Sequence, residues 1–162
     1  MQETKFRRLT LAELNDVRDQ FVKFLAVNGI DVTTWQRIRN DEPGRADALI
    51  LQFSQTVFAG VIERIEFLVD RKPNDLRTYK TEGDKIYMRG ILLDGDTSVD
   101  FTKQDLTPQE MFDRLKTEGI SPKLYAAERA YLPIGRDQDV FILMERGALI
   151  DDGELFRTLA SL

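Results

Sequence analysis

Asp94, Asp96 and Asp100 place three carboxylates within a seven-residue stretch, and carboxylates at such spacing can hold a hard divalent cation. Read as a calcium loop, the ligand series would run Asp94, Asp96, Ser98, Asp100 and Asp105. The sixth position is then Val99, where the sharp turn of such a loop requires glycine. Asp94-Gly95 is also a strong tight-turn signal, so the competing reading is a hairpin with solvated acids. These three residues are the metal candidates of a divalent-metal-dependent carboxylate enzyme, nuclease- or hydrolase-like.

A second constellation has the letters of a metal nuclease: Asp75 with Glu82, Asp84 and Lys85. That chemistry needs two carboxylates on a metal and a lysine beside the attacking water. Asp84 adjoins Lys85, and strand alternation would send neighbours to opposite faces. Asp151, Asp152 and Glu154 form a third acidic group at the expected start of a helix. There the helix dipole favours negative charge, and an acidic surface also suits a basic protein partner. They are the interaction candidates. The chain has no histidine and no cysteine, which removes Ser-His-Asp and Cys-His catalysis, zinc fingers and dithiol redox chemistry together. No GxxxxGK[ST] or GxGxxG phosphate loop occurs. No catalytic residue and no cofactor are assigned.

The net charge is −5, and residues 104–162 carry seven basic against eleven acidic side chains, so four of the five excess negative charges lie in the last third. Nucleic acid binding needs a basic face, which this linear pattern does not supply. Lys5, Arg7 and Arg8 make a small basic cluster that reads as a solvated N-terminal arm. A chain 42% hydrophobic and 31% charged is expected to fold around its own core. No run approaches the roughly 18 apolar residues of a spanning helix, no apolar signal segment follows the first basic residues, and the expected compartment is the cytoplasm.

The elements that must position these groups follow from periodicity and caps. Thr10 with Glu13 is a capping-box pattern, and Leu11, Leu14, Val17, Phe21, Phe24 and Leu25 recur at helical spacing up to Gly29. A short helix from Thr33 or Thr34 to about Asn40 carries Trp35, the only tryptophan. Pro43 opens a third helix with Ala46, Ile50, Phe53 and Val57 on one face. Its end has two readings: continuation through Val61, Ile65 and Leu68, or a break at Gly60 followed by a strand with Val61, Ile65, Phe67 and Val69 inward. The strand is favoured by β-branched enrichment.

Residues 75–81 and 85–93 read as strands, with Tyr79 and Tyr87 as cross-strand partners, and 97–102 as a further strand after the Asp94-Gly95 turn. Thr107-Pro108-Gln109-Glu110 starts a helix closed by Gly119. Ser121-Pro122 opens another, with Leu124, Ala127 and Tyr131, stopping at Pro133. Asp137 and Asp152 are expected to cap the last two helices. The fold expected is a single α+β domain over 1–162: N-terminal helices, a three- to four-stranded antiparallel meander, and C-terminal helices.

The segments FRRLTLAELNDVRDQFVKFLAVNGIDVTTW, FSQTVFAGVIERIEFL and ERGALIDDGELF resemble a family of small uncharacterised Bacteroidota proteins. The resemblance implies a cytosolic role and supplies no activity. The leading expectation is a non-enzymatic interaction or accessory protein acting on an unidentified protein partner through a surface built from its helices. A weaker alternative is RNA contact through sheet aromatics and the basic N-terminal arm. Oligomeric state is not legible in the sequence.

Overall fold

The computed structural model describes residues 5–162, which divide after Glu63 into two compact units. The first is helical: α1 (Leu11–Asp16), α2 (Arg18–Val27), α3 (Val32–Asp41) and α4 (Pro43–Glu63). Thr10 and Glu13 close the expected capping box, each side chain accepting the other's backbone N–H, at 3.2 and 2.9 Å. The expected continuous first helix is broken at Val17, whose φ of −112° and ψ of 29° leave the helical region. The helical face nevertheless resumes, with Phe21 and Leu25 buried. Gly29 ends α2 at φ 75°, a left-handed conformation in which other side chains are strained.

Asp31 caps α3 by accepting the Thr34 N–H at 2.7 Å, so the helix begins at Val32, one residue or two before the expected start. Ile38, wholly buried, belongs to the α3 side that packs on α4. Ahead of α1, Phe6 is pinned by Gln55: its N–H donates to Gln55 Oε1 at 2.8 Å, and Gln55 Nε2 donates to its carbonyl at 2.7 Å. The segment is therefore not the solvated arm that its charges suggest. α4 runs through Gly60, so both readings of its end are corrected. Val61 is helical and 39% exposed, while the strand starts only at Phe67. A single glycine costs a helix about 1 kcal/mol, too little to end one that buries Phe58 and Ile62 on either side of it.

The second unit is a five-stranded antiparallel sheet in the order β4-β3-β2-β1-β5, with three helices, so the chain is α+β. The strands are β1 (Phe67–Arg71), β2 (Asp75–Thr81), β3 (Lys85–Leu92), β4 (Lys123–Ala130) and β5 (Leu149–Asp151); the helices are α5 (Pro108–Thr117), α6 (Arg136–Glu145) and α7 (Glu154–Ala160). The β1-β2-β3 meander matches the expectation. The other strands exceed it.

Residues 123–130 form β4, not the expected helix. Their pattern suits either element, and the decision is made across the sheet. Tyr125 lies opposite Gly90, where the absent side chain leaves room for its ring; a Cβ on Gly90 would sit 2.1 Å from that ring. Tyr79 faces Met88 and Tyr87 faces Lys80, so the two tyrosines point to opposite faces instead of pairing.

Residues 97–102 are not a strand either. The segment folds inward, burying Val99 and Phe101, and Glu118 holds it by accepting the Ser98 N–H at 2.8 Å. Its apolar alternation reflects two side chains dropped into the core beside Leu76, Ile91, Leu115 and Leu159. On the opposite sheet face α6 is clamped by Asp139, 1% exposed. It accepts two bonds from Arg129, at 2.6 and 2.8 Å, and the Leu132 N–H at 2.9 Å. Asp137 does not cap α6. Gly135 holds that position at φ 97°, and Asp137 pairs with Arg136 at 3.0 Å.

Candidate functional site

A groove of about 700 Å³ lies in the helical unit. Its floor follows from the broken first helix. The bend at Val17 lets Leu14 of α1 and Phe21 and Leu25 of α2 line one recess with Trp35 of α3 and Ile50 of α4. Phe21 meets Trp35 edge-on at 5.1 Å and 82°, and meets Phe53 at 5.1 Å. Such contacts add about 0.5–1.5 kcal/mol per pair beyond area burial and hold the floor rigid. Along the rim stand apolar side chains that the unit leaves in water: Leu11 is 77% exposed, Val32 61% and Val22 44%.

The groove's charges are unevenly satisfied. Arg8 and Asp47 pair with each other at 2.7 Å. Asp31 is occupied by the Thr34 N–H, which holds its carboxyl below the usual carboxylate range. Arg18 and Arg39 also line the groove, and neither has an ion-pair partner among the described residues. The arrangement offers a ligand apolar contact and two guanidinium charges.

The sequence candidates lie elsewhere. Asp94 pairs with Lys123 at 2.9 Å. Asp100 accepts from the Thr102 hydroxyl at 2.6 Å and the Thr102 N–H at 2.9 Å, which together hold its carboxyl below the ordinary range. Asp96 is exposed. Among the described residues no group of three or more acidic side chains is placed to hold a metal ion. Asp75 accepts from the Tyr125 hydroxyl and lies 3.4 Å from Arg77, whereas Glu82 pairs with Lys80 at 2.8 Å and Lys85 with Glu128 at 3.6 Å. The nuclease-like letters are thus dispersed among separate surface pairs.

Asp151, Asp152 and Glu154 do come together, around a smaller cavity of about 290 Å³. Asp151 accepts the Gly153 N–H at 3.1 Å and Asp152 the Glu154 N–H at 2.9 Å, so Asp152 serves the start of α7 from one residue ahead of the cap position. Arg71 lies at the same cavity. It donates to the Phe101 carbonyl at 3.0 Å, and its buried Nε has no partner among the described residues. Burial pulls the Arg71 guanidinium below its ordinary range.

Of the basic cluster, Arg7 is held by Glu13 at 2.7 and 3.0 Å and stacks over Phe58, so its charge is spent inside the unit. The groove was not read from the sequence. Its signal was present: Val22 and Val32 are apolar residues outside the helical series read from the sequence, and Trp35 sits on a helix that is apolar at few other positions.

A family described as a family of unknown function, DUF6495, matches residues 1–162. No curated protein and no solved structure matches the chain.

Proposed function

Because the chain belongs to the DUF6495 family of unknown function, we propose its role from its own surface: it is a non-enzymatic interaction protein that docks a protein partner in the groove of its helical unit. The observation that carries this reading is the open apolar groove with Trp35 and Phe21 at its floor and Leu11, Val22 and Val32 left exposed at its rim. An exposed apolar patch around a concave floor is costly to leave in water, and an amphipathic segment laid along it removes that cost. The cytoplasm is the proposed compartment, and Bacteroidota the proposed distribution of its relatives. The absence of cysteine accords with a reducing compartment.

The test is a pull-down from native lysate with the full chain and its Val22→Asp variant. Val22 is exposed, so the substitution leaves the core intact while placing a charge at the groove rim. The reading predicts a stoichiometric partner captured by the natural chain and lost by the variant. No stoichiometric partner, or equal capture by both proteins, contradicts it.

A further inference from the structure

The charges around the groove say what its partner carries. Three of the five charged side chains that line it are already satisfied: Arg8 with Asp47, and Asp31 by the backbone of α3, its negative end lying against that helix's own N-terminus. This leaves Arg18 on α2 and Arg39 on α3, both exposed and without an ion-pair partner among the described residues, on the two helices that supply Phe21 and Trp35 to the floor. A guanidinium gains most from a carboxylate, which it can meet with two parallel hydrogen bonds.

We infer that the segment docked in the groove is an amphipathic helix of a partner protein, apolar on the face that enters and acidic along its flanks, with carboxylates that meet Arg18 and Arg39. This rests on the docking reading above and adds the chemistry of the partner. A helix is favoured over a small acyl ligand because the recess is open along a rim of exposed side chains. Small-molecule sites instead enclose most of their ligand's surface. The inference runs against the overall charge of −5, so recognition is local: the acidic flanks are read by two arginines, not drawn in by the field of the whole chain.

The experiment uses the full chain and three dye-labelled helical peptides with the same leucine face at i, i+3, i+4 and i+7. Their flanks carry glutamate, glutamine or lysine, and binding is read by fluorescence anisotropy. The glutamate peptide should bind at least tenfold more tightly than the lysine peptide. Its advantage should shrink as salt rises from about 0.05 M to about 0.5 M. In a chain carrying Arg18→Glu and Arg39→Glu the order of preference should invert, and Arg18→Lys with Arg39→Lys should retain the original order. Both arginines are exposed, and circular dichroism verifies that the variants fold.

Equal binding of all three peptides, or an unchanged order in the double-glutamate chain, overturns the acidic partner while leaving the groove a docking site. Failure of every peptide to bind overturns the docking reading itself. Saturable binding of laurate with no binding of any peptide overturns both in favour of a lipid pocket.

Discussion

Gly90 and Tyr125 decide the local structure of the sheet between them. The tyrosine ring lies where a Gly90 side chain would be, its hydroxyl donates to Asp75 Oδ1, and Arg77 Nε donates to the hydroxyl oxygen at 3.2 Å. Burial and the bond to Asp75 push the Tyr125 phenol up to about 12. Gly90→Ala must expel the ring, at a cost of about 1–3 kcal/mol. We expect the Tyr125 ionisation to return toward 10 in that variant, followed by ultraviolet titration against a Tyr125→Phe reference. An unchanged titration near 12 would show that the ring had not moved. Asp139 presents the second decisive residue. Asp139→Ala leaves the Leu132 N–H without its acceptor and frees Arg129, whose side chain is 46% exposed and regains water. The expected loss is therefore about 2–3 kcal/mol in urea denaturation, below the full cost of stranding a buried charge. Neither pair was legible in the sequence. Gly90 and Tyr125 are 35 positions apart and become neighbours only through a strand whose letters also suit a helix. The Thr10 and Thr107 caps were legible, because such a cap acts within four residues, whereas the expected Asp137 cap is replaced by Gly135.

At the scale of elements, α1 is too short to be stable by propensity, so its start must be held. Hydrogen bonds from Arg7 and then from the Thr10 N–H hold the Glu13 carboxyl at about 2, well below its ordinary 4.5. A carboxyl depressed in the folded state contributes stability above its unfolded value, and this is lost as pH falls from about 4.5 through about 2. Because the pair is half-exposed, the effect is small, under about 1 kcal/mol. Glu13→Gln should lower the thermal midpoint at neutral pH, and the gap between the two proteins should close toward pH 2. A gap that is constant over that range would contradict the assignment.

Elements whose signals are local, namely α1's start, α5 with its Thr107 cap and the β2–β3 hairpin, were read from the sequence with little displacement. Those decided by distant contacts were not. β4 follows from the space over Gly90. β5 has only three residues and gains its place by pairing with β1. β4 is also an outer strand, and Lys123, Glu128 and Arg129 along it place charge where an exposed edge would otherwise invite further pairing.

At the scale of the whole molecule, the chain divides into a helical unit ending at Glu63 and a sheet unit from Arg64 onward. The sheet unit holds every carboxylate cluster that first suggested metal chemistry, and there those acids serve as caps, turn acceptors and surface pairs. The helical unit holds the groove, which draws its residues from four helices and so leaves no compact motif in the sequence. Trp35, the only tryptophan, stands half-buried at the floor of that groove, where its emission would respond to an occupant. The most direct measurement is therefore the intrinsic emission of Trp35 during titration with a tryptophan-free acidic amphipathic peptide. A saturable blue shift that tracks binding, and that disappears in the Val22→Asp chain, is the predicted result. Binding of the peptide with the emission of Trp35 unmoved would place the contact elsewhere and contradict the account.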